Sequence, residues 1–401
     1  MYPLLAGLRI VDITTIVLGP FATQILADLG AEVIKIETIE GDMNRAVPPQ
    51  GAPGIGPTFA NNNRNKRSLS VDLKHEDGRQ LLRRLIKTSD ALVHNMRQQA
   101  LDRLGFGWEQ VQELNPKLIY CAALGYGSDG PYAGKPAYDD IIQAASGLAG
   151  LNRMRDGEPA YHATVTADKV AALCTVYAVL AALLHRERTG GQGQLVEMPM
   201  FEAMAGFSLN EHLMGATFAE DAKTGYHRAL SRNRKPYKTA DGWVAVLPYT
   251  AAQWSRVLKV VGREDVTAAP WFNDNAERSK KSDELYAILA HSLGTRTSKE
   301  WLAIFEREDV PCGPINDTDQ LLDDPHLAAV GFFNPMFTEP TPARRTLRQP
   351  VLYRGMKREA DRFAPRLGAD TRKLMTELGY SDADMTRMTA ARIVNGPEPT
   401  S

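Results

Sequence analysis

The stretch LRIVDITTIVLGPFATQILADLGAEVIKIE, residues 8–37, decides the fold class. LRIVDI (Leu8–Ile13) has the composition of a buried strand. TTIVLGP then turns the chain. PFATQILADLG predicts a helix, with Pro20 in its first turn and Gly30 at its end. AEVIKIE (Ala31–Glu37) reads as a second strand, which completes a βαβ unit. The alternation continues through SLSVDL (strand), EDGRQLLRRLIKTS (helix), ALVHNM (strand) and LIYCAAL (strand). Strands alternating with helices predict an α/β chain whose mostly parallel sheet is covered on both faces. Ligands of such sheets sit at the carboxyl ends of the strands.

The pattern changes after about Phe201. YKTADGWVAVLPY predicts an antiparallel hairpin around Ala240-Asp241-Gly242, and helices are expected near Ala251–Val261, Asp283–Leu293 and Ser298–Glu308. The expected division is residues 1–200 as the first part of a large domain, 201–224 as a linker, and 225–324 as a small α+β domain. Residues 325–401, with a strand-like piece and the helix DTRKLMTELG, return to complete the large domain. No internal repeat or low-complexity tract interrupts this order.

With 401 residues and a net charge of -1, the chain can bury a sizeable core and has no general affinity for nucleic acid or anionic membranes. Cys121, Cys174 and Cys312 lie far apart with no CxxC pair, which suits a reducing cytoplasm and offers no zinc signature. MYPLLAGLRIVDITT has neither the basic start nor the long apolar run of an export signal. Val170–Leu184 is apolar except for Thr175, and predicts a helix buried on all sides but too short for a confident membrane span. No metal and no permanently bound cofactor are expected.

Several positions invite chemistry. A dinucleotide at the first turn, with Glu37 on its ribose, is disfavoured because TTIVLGP carries one glycine where G-x-G-x-x-G carries three. NNNRNKRS (Asn61–Ser68) presents Arg64, Lys66 and Arg67 before a strand, as a solvated basic turn or as a phosphate site. Lys74, Arg97 and Arg103 also fall near strand ends, where they could surround a polyanion such as a nucleotide diphosphate. GYGSDGPYAGKPAYDD (Gly125–Asp140) is a long glycine-rich loop after a strand, with Tyr126, Tyr132 and Tyr138 as packing anchors or as site residues. Asp168 heads the apolar helix. It could simply favour the helix dipole and cap free N–H groups, or the same field could keep it ionised as a nucleophile.

Taken together, GLRIVDIT, GPFATQILADLGAEVIKIE, GDMNR, NRNKRSLSVDLK, LDRLGFGWEQVQELNPKLIY, GYGSDGPYAGKPAYD, LAALLHRERTGGQGQLVEMPMFEA, VPCGPIN and DPHLAAVGFF closely resemble the class III CoA-transferases. The family includes formyl-CoA transferase and carnitine CoA-transferase. The resemblance implies a Rossmann-like large domain, an interlocked ring-like homodimer, and acyl-CoA and a carboxylic acid as substrates. It implies Asp168 as the catalytic residue. It implies coenzyme A contacts at Val17 and Leu18, at Val71, Asp72, Leu73 and Lys74, at Asn95, Met96 and Arg97, at Arg103, and at Pro136, Ala137, Tyr138 and Asp139. A basic residue common after the second strand is Thr38 here, with Arg45 as the substitute contact. The glycine-rich substrate loop of formyl-CoA transferase has no counterpart between Gly225 and Trp254. The related α-methylacyl-CoA racemases use a histidine–aspartate pair where this chain has Tyr138-Asp139, so transfer is favoured over racemisation. A catalytically silent CoA-binding protein is the remaining alternative.

Overall fold

The structure, a computed structural model, describes residues 1–336 and 343–396. Two compact units emerge. One comprises residues 1–146, 162–207 and those from 329 onward; the other comprises residues 147–161 and 208–328.

In the larger unit, β1 (Arg9–Ile13), β2 (Glu32–Glu37), β3 (Arg67–Val71), β4 (Ala91–His94), β5 (Ile119–Leu124) and β6 (Leu195–Pro199) run parallel. Their spatial order is β3-β2-β1-β4-β5-β6, and the short strand Val394–Asn395 adds antiparallel to β3 as the seventh. Side chains alternate between faces, as the strand period requires. Val11, Ile34 and Leu92 meet Leu81, Leu82, Leu85 and Ile86 of the helix Glu76–Lys87. Ile10, Val33 and Val93 meet Ala22 and Leu26 of the helix Leu18–Asp28, and Ala172, Val176, Val179 and Leu183 of the helix Thr166–Thr189.

That last helix departs from its predicted surroundings. With 24 residues it is long and apolar enough to cross a membrane, yet one face packs on the sheet as core. The other face is uncovered: Leu173, Tyr177 and Leu184 are 54%, 64% and 57% exposed. Residues 201–224 are not an extended linker either. Met200–His212 is a helix in which Met200, Met204, Ser208 and His212 are buried at four-residue spacing. Residues 147–161 group with the smaller unit, where the Arg155 carbonyl accepts a 2.8 Å bond from Arg232 Nε.

The smaller unit has its own core. The hairpin Tyr237–Lys238 and Trp243–Val246 pairs with Cys312–Pro314 in a three-stranded sheet. Tyr237, Val244 and Val246 pack with Trp254, Leu285, Tyr286, Trp301 and Phe305 from the helices Ala251–Val260, Ser282–Ser292 and Ser298–Arg307.

The cations of NNNRNKRS are buried rather than solvated. Lys66 Nζ lies 2.9 Å from Asp12 Oδ2 and also donates to the Pro20 carbonyl, Thr23 Oγ1 and Asn63 Oδ1, so the ammonium is surrounded by acceptors. Burial pulls Lys66 down to about 8 against the attraction of Asp12. Burial pushes the Asp12 carboxyl up, but Lys66, Lys35 and Thr14 together hold it below its ordinary value. Arg64 pairs with Asp28, and Arg67 with Glu32 and Glu377. None of the three is free for a phosphate. Removing one partner of a buried pair leaves an unmatched charge. Asp12→Ala is therefore expected to cost about 3–5 kcal/mol of stability, measured by urea unfolding.

Candidate active site

The strand order creates the site. From β1 the chain builds outward to β2 and β3 on one side, then returns to build β4, β5 and β6 on the other. Loops leaving β1 and β4 diverge, and a crevice opens at their carboxyl ends. A cavity of about 510 Å³ occupies this position, lined by residues 15–18 after β1, 95–99 after β4, and 123–126 at the end of β5, with Ser128, residues 133–138, Asp168 and Met200.

Each wall is held by identifiable bonds. In the first turn Ile16 has φ 73°, a strained conformation for a β-branched residue. Its carbonyl accepts from Asn44 Nδ2 at 2.6 Å, and its N–H donates to Asp42 at 3.3 Å. Gly19 follows because a Cβ there would lie 2.2 Å from Thr14 Cβ. The glycine-rich loop is tied down by two acids: Gly127 N–H donates to Glu202 at 2.9 Å and Ser128 Oγ to Glu197 at 2.7 Å. Tyr126 and Tyr132 pack with Phe201, whereas Tyr138 stands 66% exposed on the cavity wall.

Asp168 sits in the first turn of Thr166–Thr189 and is half-buried. Its carboxylate makes no side-chain cap. The N–H of Asp168 is instead accepted by Asp139 Oδ1 at 2.9 Å. Asp139 Oδ2 accepts from Gln143 Nε2 at 2.6 Å, and Gln143 Oε1 accepts from the His162 N–H at 2.9 Å. This relay fixes the helix start from outside and leaves the Asp168 carboxylate facing the cavity. Burial, then the neighbouring Asp139 carboxylate, pushes Asp168 up to about 6. The carboxyl thus stands above its ordinary value, where the helix start was expected to favour the ionised form.

Residues 5–371 match the CoA-transferase family III. The chain belongs to that family. It is 30% identical over 387 residues to a succinate–glutarate CoA-transferase of Agrobacterium fabrum, covering 94% of this chain and 96% of that one. It is 32% identical over 328 residues to an acetyl-CoA:oxalate CoA-transferase of Acetobacter aceti, covering 80% and 83%. A CAIB/BAIF family protein from Brucella suis has a similar structure, with a TM-score of 0.79, 30% identity, and coverage of 94% of this chain and all of that one. The protein is thus an acyl-CoA:carboxylate CoA-transferase.

The transferase brings together at the cavity Val17, Leu18, Asn95, Met96, Arg97, Pro136, Ala137, Tyr138 and Asp168. The other expected contacts lie off its wall. Val71 is buried in the core and Lys74 is exposed at the end of β3, which β2 separates from β1. Asp72 accepts from the Lys74 N–H in a local turn, with Leu73 half-buried between them. Arg103 lies in the last turn of the helix Gln98–Leu104, exposed, donating to the Gln99 carbonyl. Asp139 is 7% exposed and holds Asp168 instead of facing the cavity. Arg45 cannot replace the basic contact missing at Thr38. It is bidentate to Glu37 at 2.7 and 2.6 Å and lies 3.7 Å from the Phe59 ring centre. The same pair occupies Glu37, the residue considered for a ribose. Gln143, Glu197 and Glu202 had no distinguishing signal in the sequence, since their roles depend on partners 19–75 residues away.

Asp139→Asn keeps an oxygen to accept the Asp168 N–H but removes the like charge. The midpoint of Asp168 ionisation should then fall below its value of about 6, as followed by carboxyl ¹³C NMR across a pH series.

Proposed function

We propose that Asp168 is the nucleophile of this transferase. One observation carries the assignment: among the described residues, Asp168 supplies the one carboxylate on the cavity wall. Asp168 attacks the thioester carbonyl of the donor acyl-CoA. The C–S bond breaks, leaving an acyl–aspartyl anhydride and CoA thiolate. The thiolate attacks the aspartyl carbonyl of the anhydride, releasing the donor acid as its carboxylate and forming an enzyme–CoA thioester. The acceptor carboxylate attacks that thioester and expels the thiolate, giving a second anhydride. Attack by the thiolate on the acceptor acyl carbon releases the new acyl-CoA and restores Asp168. Every step is an acyl transfer, so no electrons are exchanged and no net proton is required.

Coenzyme A would lie along the turn Thr15–Leu18, the segment Asn95–Arg97 and the segment Pro136–Tyr138, with Arg97 and Lys135 as the cations available on the wall. The names of the relatives make dicarboxylic acids the first acceptor class to test. Racemisation is the weaker reading, because among the described residues the wall carries no histidine to act as a second base. A homodimer, interlocked as the resemblance implies, would cover the stripe Leu173, Tyr177 and Leu184 together with Phe207, itself 51% exposed. Three unpaired cysteines suit the cytoplasm as its compartment.

Asp168→Asn should fold and bind CoA while turnover falls to background, because an amide cannot form the anhydride. Trapping with hydroxylamine during turnover should modify Asp168 in the wild type; modification of another residue would overturn the assignment. Activity of the wild type should rise with pH as Asp168 deprotonates, about tenfold per unit well below its midpoint. Sedimentation equilibrium at micromolar concentration should give twice the mass of 44.2 kDa, and a monomer would remove the proposed role of the exposed stripe.

A further inference from the structure

Arg228, in the smaller unit, has no counter-ion among the described residues. It is half-buried, and its Nη2 donates to the phenol oxygen of Tyr286 at 3.0 Å. Its guanidinium carbon lies 4.9 Å from the centre of the Tyr249 ring. Tyr286 is 1% exposed and packs beside Trp254 with ring centres 5.8 Å apart, so its hydroxyl is a fixed point. Burial works against the Arg228 charge, and Tyr286 and Tyr226 together more than offset it.

The neighbouring pairing runs against electrostatics. Asp283 stands one turn before Tyr286 on the helix Ser282–Ser292. Its carboxylate is taken by neutral donors, Ser231 Oγ at 2.6 Å and Asn233 Nδ2 at 3.1 Å. The segment that carries Arg228 therefore reaches a carboxylate with a hydroxyl and an amide, and a neutral phenol with its guanidinium. Coulomb attraction alone would favour the opposite assignment. A partly desolvated cation recovers little from a phenol. Arg155, Arg256 and Arg263, on the same unit, each meet an aspartate. Tyr286 uses one of the five guanidinium N–H groups, and the two tyrosines cannot occupy them all.

We infer that Arg228 is the receptor for a carboxylate of a small organic acid, with the Tyr249 ring flanking the carbon skeleton. The planar fork of a guanidinium matches the two oxygens of a carboxylate. An aromatic platform holds that fork rigid and loses little entropy on binding.

The test uses the full chain and glutarate, a five-carbon dicarboxylate, with pentanoate and inorganic phosphate as controls. Calorimetry should show glutarate binding to the wild type, weakened at least about tenfold in Arg228→Gln and less in Arg228→Lys, with unchanged melting temperatures. If the KM of CoA transfer to glutarate holds in Arg228→Gln while the calorimetric site is lost, the acid is an effector bound apart from turnover. Equal glutarate affinity in the wild type and Arg228→Gln, or no glutarate binding to the wild type at millimolar concentration, overturns the site. Phosphate binding as tightly as glutarate overturns the choice of carboxylate.

Discussion

The buried pair of Lys66 and Asp12 is the interaction on which the cavity wall depends. Asp12 lies next to the end of β1, fully buried, where a lone carboxylate would be expelled or neutralised. Lys66 reaches it from the turn before β3, and also bonds the Pro20 carbonyl and Thr23 in the first helix. One ammonium therefore ties together a central strand, the helix that follows it, and a turn more than forty residues later. Asp12 also accepts from the Thr14 N–H at 2.9 Å, which shapes the turn that presents Val17 and Leu18. The Lys35 ammonium braces the same turn through the Thr14 carbonyl at 2.8 Å and Asp42 at 3.1 Å. The desolvation cost of these charges is offset only because each has several partners.

Much of this architecture was legible in the sequence. The period of the strands, the caps of the first helix and the hairpin around Asp241 are local properties, and local spacing reports them. The position of the crevice was legible too, because a βα alternation places ligand loops at one end of the sheet. What spacing could not report was the destination of a charge. Arg45, Arg64, Lys66 and Arg67 look in sequence like available cations, and each is buried against an acid. Val71 and Arg103 fall near strand ends, but strand order and helix length carry them off the wall. The apolar run after Asp168 was expected to be covered all round, because its composition does not reveal which face meets the sheet; Leu173, Tyr177 and Leu184 are exposed.

The head of the long helix shows how two acids in one place divide their work. Asp139 satisfies a free backbone N–H and is itself locked by Gln143. Asp168, relieved of capping, keeps both carboxylate oxygens for the cavity. Burial, with a further contribution from the neighbouring Asp139 charge, raises the ionisation midpoint of Asp168. At neutral pH a carboxylate with a midpoint near 6 is still mostly ionised, and it is a stronger base than an ordinary aspartate. The separation of 29 positions between the two acids hides this division from any local motif.

The strand Val394–Asn395, which closes the outer edge of β3, has a consequence for how the chain is made. Val71 waits for its pairing partner through roughly 320 residues of synthesis, which at about 5–20 residues per second is on the order of 15–65 s. During that interval the edge of β3 presents unpaired backbone groups, the template on which other extended chains add. The intervening residues 208–328 form a unit with its own core that need not wait. A ribosome stalled late in the message would thus release a chain with a finished small unit and a raw sheet edge in the large one. The safety of the nascent protein depends on translation speed and chaperone cover as much as on its final stability.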